Sequence, residues 1–113
     1  MVSKENSEKI QELQILEHNL QALIAQKQAV QMELNEVLNA LEEVKKTNDE
    51  VYKVISGVML KSSQAVIVKE LEEKKNLFEL RISSVEKQEK IIESRIEATK
   101  KELTSSLDKK KKD

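Results

Sequence analysis

Apolar residues recur along this chain at alternating intervals of three and four, first over Leu13, Leu16, Leu20, Leu23, Val30, Leu34, Val37, Leu41 and Val44, with Lys27 the one polar interruption. A 3.5-residue period of that length specifies a left-handed two-helix seam rather than the broader stripe of a helix lying on a globular core. It predicts a helix over residues 6–48, roughly 65 Å long at 1.5 Å per residue. A second series runs Val68, Leu71, Lys75, Phe78, Ile82, Val85, Glu89, Ile92, Ile96, Thr99 and Leu103, and predicts a helix of similar length over residues 64–107. It is less clean, because Lys75, Glu89 and Thr99 are polar.

Between the two series the period changes. Thr47-Asn48-Asp49 is a helix-stopping cluster, after which β-branched and aromatic residues crowd around Ser56-Gly57. Gly57 supplies the positive φ that a two-residue turn requires, so residues 51–62 read as a β-hairpin. Ser62-Ser63 offers hydroxyls to the free N–H groups that open the second helix, although no Glu or Gln follows either serine by three. The predicted fold is mainly α: two long helices of equal length, folded back at a central hairpin into an antiparallel coiled coil. A lone hairpin is marginal in water, so its strands must find others and function is expected to begin with assembly. Val51, Tyr52, Val54, Ile55, Val58, Met59 and Leu60 are the candidate assembly residues, with alternate side chains on opposite faces of the ribbon.

Composition narrows the class further. Of 113 residues, 36% are charged and 2% aromatic, with one Gly and no Pro, which fits a single coiled-coil domain and argues against a compact core of many elements. The 20 Lys and Arg against 21 Asp and Glu leave a formal charge of -1, giving no general attraction to nucleic acid or to an anionic membrane. No stretch approaches the ~18 uncharged apolar residues of a membrane span, and the N-terminus has no signal-peptide pattern. With no cysteine, a thiolate metal site is impossible, and the chain is expected to work in the cytoplasm. Residues 108–113, Asp-Lys-Lys-Lys-Lys-Asp, read as a solvated charged tail.

No catalytic constellation emerges. His18 is the only histidine, on an outward position; the carboxylates alternate with lysines at helical spacing, as in solvent-facing ion pairs, and no glycine-rich phosphate loop is present. The chain is not expected to be an enzyme, to hold a metal or to need a cofactor. The polar seam residues are of more interest. Folding back at Ser56-Gly57 brings Lys27 near Glu89, where the pair either stays wet or fixes the antiparallel register at some cost in stability. Apolar residues gather at the end of the coiled coil remote from the hairpin, where Ile10, Leu13, Leu16, Ile96, Leu103 and Leu107 are the candidate surface for another polypeptide.

Three segments in order, Gln26-Lys27-Gln28-Ala29-Val30-Gln31-Met32-Glu33-Leu34, the hairpin Val51-Tyr52-Lys53 with Gly57, and Glu86-Lys87-Gln88-Glu89-Lys90, resemble the β subunits of prefoldin, the archaeal form above all. The resemblance covers nearly the whole chain. Subunits of the α class have two hairpins between their helices, and this sequence has one. The resemblance implies a hexamer of two α-class and four β-class subunits with hairpins joined into β-barrels. It further implies an ATP-independent holdase whose coiled-coil tips hold non-native proteins and pass them to a group II chaperonin. Ala65 stands where the family often has an acidic residue at the start of the second helix. The alternative reading is a structural scaffold or spacer in which the coiled coil only sets distance.

Overall fold

The computed structural model describes the backbone of residues 3–112 and the side chains of residues 3–106. The elements follow in the order α1 (Lys4–Lys46), β1 (Val51–Ile55), β2 (Val58–Ser62) and α2 (Gln64–Lys112). This is the mainly α fold with one central hairpin that the two apolar periods require. The chain divides into two compact units, one formed by Met1–Lys27 with Ser84–Asp113 and the other by Gln28–Ser83.

The helix boundaries are set by identifiable hydrogen bonds. Ser3 opens α1: its Oγ accepts from the Asn6 N–H at 3.2 Å and its carbonyl from the Ser7 N–H at 2.9 Å. At the other end the Asp49 N–H turns back onto Thr47 Oγ1 at 3.1 Å, so α1 stops at Lys46, two residues short of the predicted 48. Gln64 Nε2 donates to the Val44 carbonyl at 2.7 Å, occupying an acceptor that the helix end leaves free. Ser63 is the N-cap of α2, its Oγ accepting from the Val66 N–H at 3.2 Å. That helix runs to Lys112, past the end at 107 that the loss of apolar period predicts. Lysine is a good helix former, no Gly or Pro intervenes, and positive charge suits a helix C-terminus, so residues 108–112 continue the helix rather than leaving it as a tail.

In the hairpin-bearing unit, Val30, Leu34, Val37 and Leu41 of α1 are buried against α2, where Ile67 is buried and Val68, Leu71, Phe78 and Ile82 are half-buried. Its fully buried side chains are all aliphatic. The other unit differs. Leu16, Val85 and Ile96 share its interior with Asn6, Glu89 and Thr99, and Asn6, at 1% exposure, is the most enclosed side chain described. The heptad seam therefore continues beyond Leu13 to Lys9 and Asn6, both withdrawn from solvent at the same three-and-four spacing.

Candidate functional site

The hairpin is built from its turn outward. Ser56 (φ 50) and Gly57 (φ 81) both adopt positive φ, the backbone of a type I′ turn, whose twist matches that of the flanking strands. The antiparallel register follows as Ile55↔Val58, Val54↔Met59, Lys53↔Leu60, Tyr52↔Lys61 and Val51↔Ser62. Side chains alternate across such a ladder, so Val51, Lys53, Ile55, Val58, Leu60 and Ser62 share one face and Tyr52, Val54, Met59 and Lys61 the other.

The first face leans on the helices at its base. Val51, Lys53 and Ser62 are half-buried there, and Lys53 Nζ lies 2.8 Å from Glu70 Oε1 on α2. Its outer part, Ile55, Val58 and Leu60, is exposed. The second face has no cover among the described residues, and Val54 and Met59, cross-strand neighbours, are each 65% exposed. At its base Glu50 receives two hydrogen bonds, from the Tyr52 hydroxyl at 2.6 Å and from Lys61 Nζ at 3.0 Å. The phenol's hydrogen bond, and after it the lysine's, holds the Glu50 carboxyl below its ordinary value. The same bond raises the Tyr52 phenol above its ordinary value, because losing that proton would set two anions side by side. No third strand lies against either edge of the hairpin among the described residues. The seven candidate assembly residues are thus brought together on one ribbon, six of them exposed and Val51 half-buried.

The remaining candidates lie in the other unit. Ile10 is exposed, Leu13 and Leu103 are half-buried, and Leu16 and Ile96 are seam residues at 8% and 9% exposure. The Leu107 side chain lies outside the described residues. Lys27 Nζ is 3.2 Å from Glu89 Oε2, while Glu89 Oε1 is buried with no hydrogen-bond partner among the described residues. Two further cross-helix ion pairs, Lys9 with Glu102 at 3.4 Å and Lys100 with Glu17 at 3.9 Å, flank this unit's seam. Ile15 is exposed beside Gln11, Gln14 and His18 on the outer face of α1 and adds to the apolar residues of this unit. Sequence reasoning missed the Glu50–Tyr52–Lys61 network and the Lys53–Glu70 bridge. A signal for the first was present, since a two-residue turn at Ser56-Gly57 already pairs Tyr52 with Lys61, whereas the strand register says nothing of Glu70 on α2. Among the described residues no cluster of three or more potential metal ligands occurs, and no helix is long and apolar enough to cross a membrane.

The same arrangement recurs in known proteins. Residues 7–110 match the family model described as prefoldin subunit. Prefoldin subunit beta of Archaeoglobus fulgidus is 36% identical over 100 residues, 87% of this chain and 86% of that protein. The Methanothrix thermoacetophila prefoldin subunit beta is 38% identical over 98 residues, 85% of this chain and 82% of its own length. The crystal structure of the prefoldin beta subunit from Thermococcus strain KS-1 superposes with a TM-score of 0.91 at 28% identity, covering 95% of this chain and 96% of that one. The beta2 subunit of the same strain shares the fold at a TM-score of 0.69 and 17% identity, over 77% of this chain and 95% of that one. With one hairpin between two heptad-patterned helices, and with relatives that match it nearly end to end, this chain belongs to the prefoldin subunit family and is similar within it to the β subunits.

Proposed function

We propose that this chaperone subunit works as an ATP-independent holdase. Its hairpin joins those of α-class and further β-class subunits, two α to four β, into barrels, and its coiled coil holds non-native polypeptides for transfer to a group II chaperonin in the cytoplasm. The observation that carries the reading is the hairpin, a two-stranded ribbon with both edges unpaired and apolar side chains exposed on both faces. Isolated ribbons of this kind are marginal and invite further strands. Val51, Tyr52, Val54, Ile55, Val58, Met59 and Leu60 form the assembly surface.

Client contact belongs to the unit that lacks the hairpin. Ile10 is open to solvent and Leu13 and Leu103 partly so, which gives a few weak apolar contacts per subunit. Several subunits acting together multiply such contacts into useful avidity without selecting a sequence. Leu16 and Ile96 extend this surface when the seam opens locally. The polar Asn6, Glu89 and Thr99 in this unit's interior lower the cohesion that opposes opening. The reading is tested by assembling the chain with an α-class partner and measuring how far it suppresses aggregation of a denatured client. Ile10→Ser combined with Leu103→Ser should leave the assembled mass unchanged and weaken suppression by roughly tenfold. Undiminished suppression removes the client assignment, and no suppression by the native assembly favours a spacer.

A further inference from the structure

Lys27 and Glu89 occupy equivalent seam positions on α1 and α2, counting from Leu13 and Val68 respectively. Their contact is poor value as a stabilising interaction. Glu89 keeps only 8% of its surface, one carboxylate oxygen has no partner, and an aliphatic pair of similar size avoids that desolvation altogether. Nor is the pair alone in setting the register within one chain, because the two-residue turn at Ser56-Gly57 fixes the strand pairing and a single residue separates β2 from α2. Its physical effect lies in the pairings that it forbids.

We infer that Lys27 and Glu89 are specificity-determining residues that keep α1 paired in register with an α2 helix and prevent helices of neighbouring copies from pairing with their own kind. In a parallel pair of α1 helices from two copies, equivalent seam positions meet, so Lys27 faces Lys27; in a parallel pair of α2 helices Glu89 faces Glu89. Like charges at a seam disfavour both pairings, whereas the α1–α2 pairing places opposite charges 3.2 Å apart. Slipped pairings between copies are penalised as well. A shift of one heptad sets Lys27 against Ile82 or Ile96 and Glu89 against Leu20 or Leu34, stranding both charges among aliphatic side chains. The rest of the α1 seam from Leu13 to Val44 is aliphatic and is equally at ease beside another copy of itself. Any assembly that gathers several copies raises the local concentration at which such exchange occurs. The inference itself does not depend on the holdase reading.

The absence of cysteine from the chain permits a direct test. Leu23→Cys introduces a single thiol at a seam position of α1 that forms a disulfide between two copies only when their α1 helices lie side by side. Three full-length chains carry it: the native background, Lys27→Leu with Glu89→Leu, and the exchanged pair Lys27→Glu with Glu89→Lys. The leucine chain should form the linked dimer roughly tenfold faster than the native background while melting at a higher temperature. The exchanged chain should stay as slow as the native one. Equal rates in the native and leucine chains, or an exchanged chain as fast as the leucine chain, would overturn the inference. Assembly mass by light scattering, read in parallel, reports on the proposed oligomer separately.

Discussion

Glu50 joins two residues that the strand register has already set opposite each other. Its carboxylate accepts from Tyr52 and from Lys61, whose side chains lie on the same hairpin face. Because the phenol's pKa is raised in the folded chain, its contribution is complete below the ordinary value of 10.0 and is lost as the pH rises through the folded value. The Glu50 carboxyl is lowered, so its contribution is present above 4.5 and disappears as the pH falls through its folded value. Between those limits the network is intact. Tyr52 is the single tyrosine and there is no tryptophan, so phenolate absorbance reports this site alone. Glu50→Ala should move the phenol's titration midpoint downward, towards the ordinary value; a midpoint that stays in place would show that the hydrogen bond does not persist in solution.

At the level of the elements, the turn and the seams behave differently under substitution. Gly57 has φ 81 and no atom within 4 Å of where a Cβ would stand, so Gly57→Ala costs conformational energy alone, about 1–2 kcal/mol. Ser56 is a non-glycine residue at φ 50, and Ser56→Asn, which gives the Asn-Gly pair preferred in type I′ turns, should stabilise the hairpin by a few tenths of a kcal/mol. Amide exchange in β1 and β2 measures both, and equal protection in all three chains would argue against the assigned turn. These elements were legible in the sequence because their periods are written in apolar residues: Leu13 to Val44, and Val68 to Leu103, all lie on the seams that the structure buries or half-buries. What escaped was written in polar residues. Asn6 and Lys9 continue the α1 seam, but an amide and an ammonium at those positions erase the signal that reveals a heptad. The end of α2 escaped for the same reason, since Lys109 to Lys112 hold helical backbone without any apolar face to announce it. Leu16 and Ile96 lie on the heptad seams and are buried there, as their three-and-four spacing requires.

For the molecule as a whole, the balance of apolar burial is lopsided. The helices hide most of their aliphatic residues along their seams, while the hairpin leaves Val54, Ile55, Val58, Met59 and Leu60 in water. Among the described residues nothing covers the second face, whereas the helices meet the base of the first, where Val51, Lys53 and Ser62 are half-buried and Lys53 pairs with Glu70. The proposed assembly would remove the apolar area of the second face from solvent, a gain of roughly 25 cal/mol for each Å² buried. Val54 and Met59 are the direct probe of this, being cross-strand partners with no described partner beyond each other. Val54→Thr together with Met59→Thr keeps β-favouring residues in both strands and removes the apolar face. Light scattering of this variant with the proposed α-class partner should give the 13.0 kDa mass of the single chain alongside free partner, with helical circular dichroism unchanged, since the seams of both units are untouched. A variant that still assembles fully would mean that association runs through the strand edges and the Ile55, Val58 and Leu60 face without help from the second.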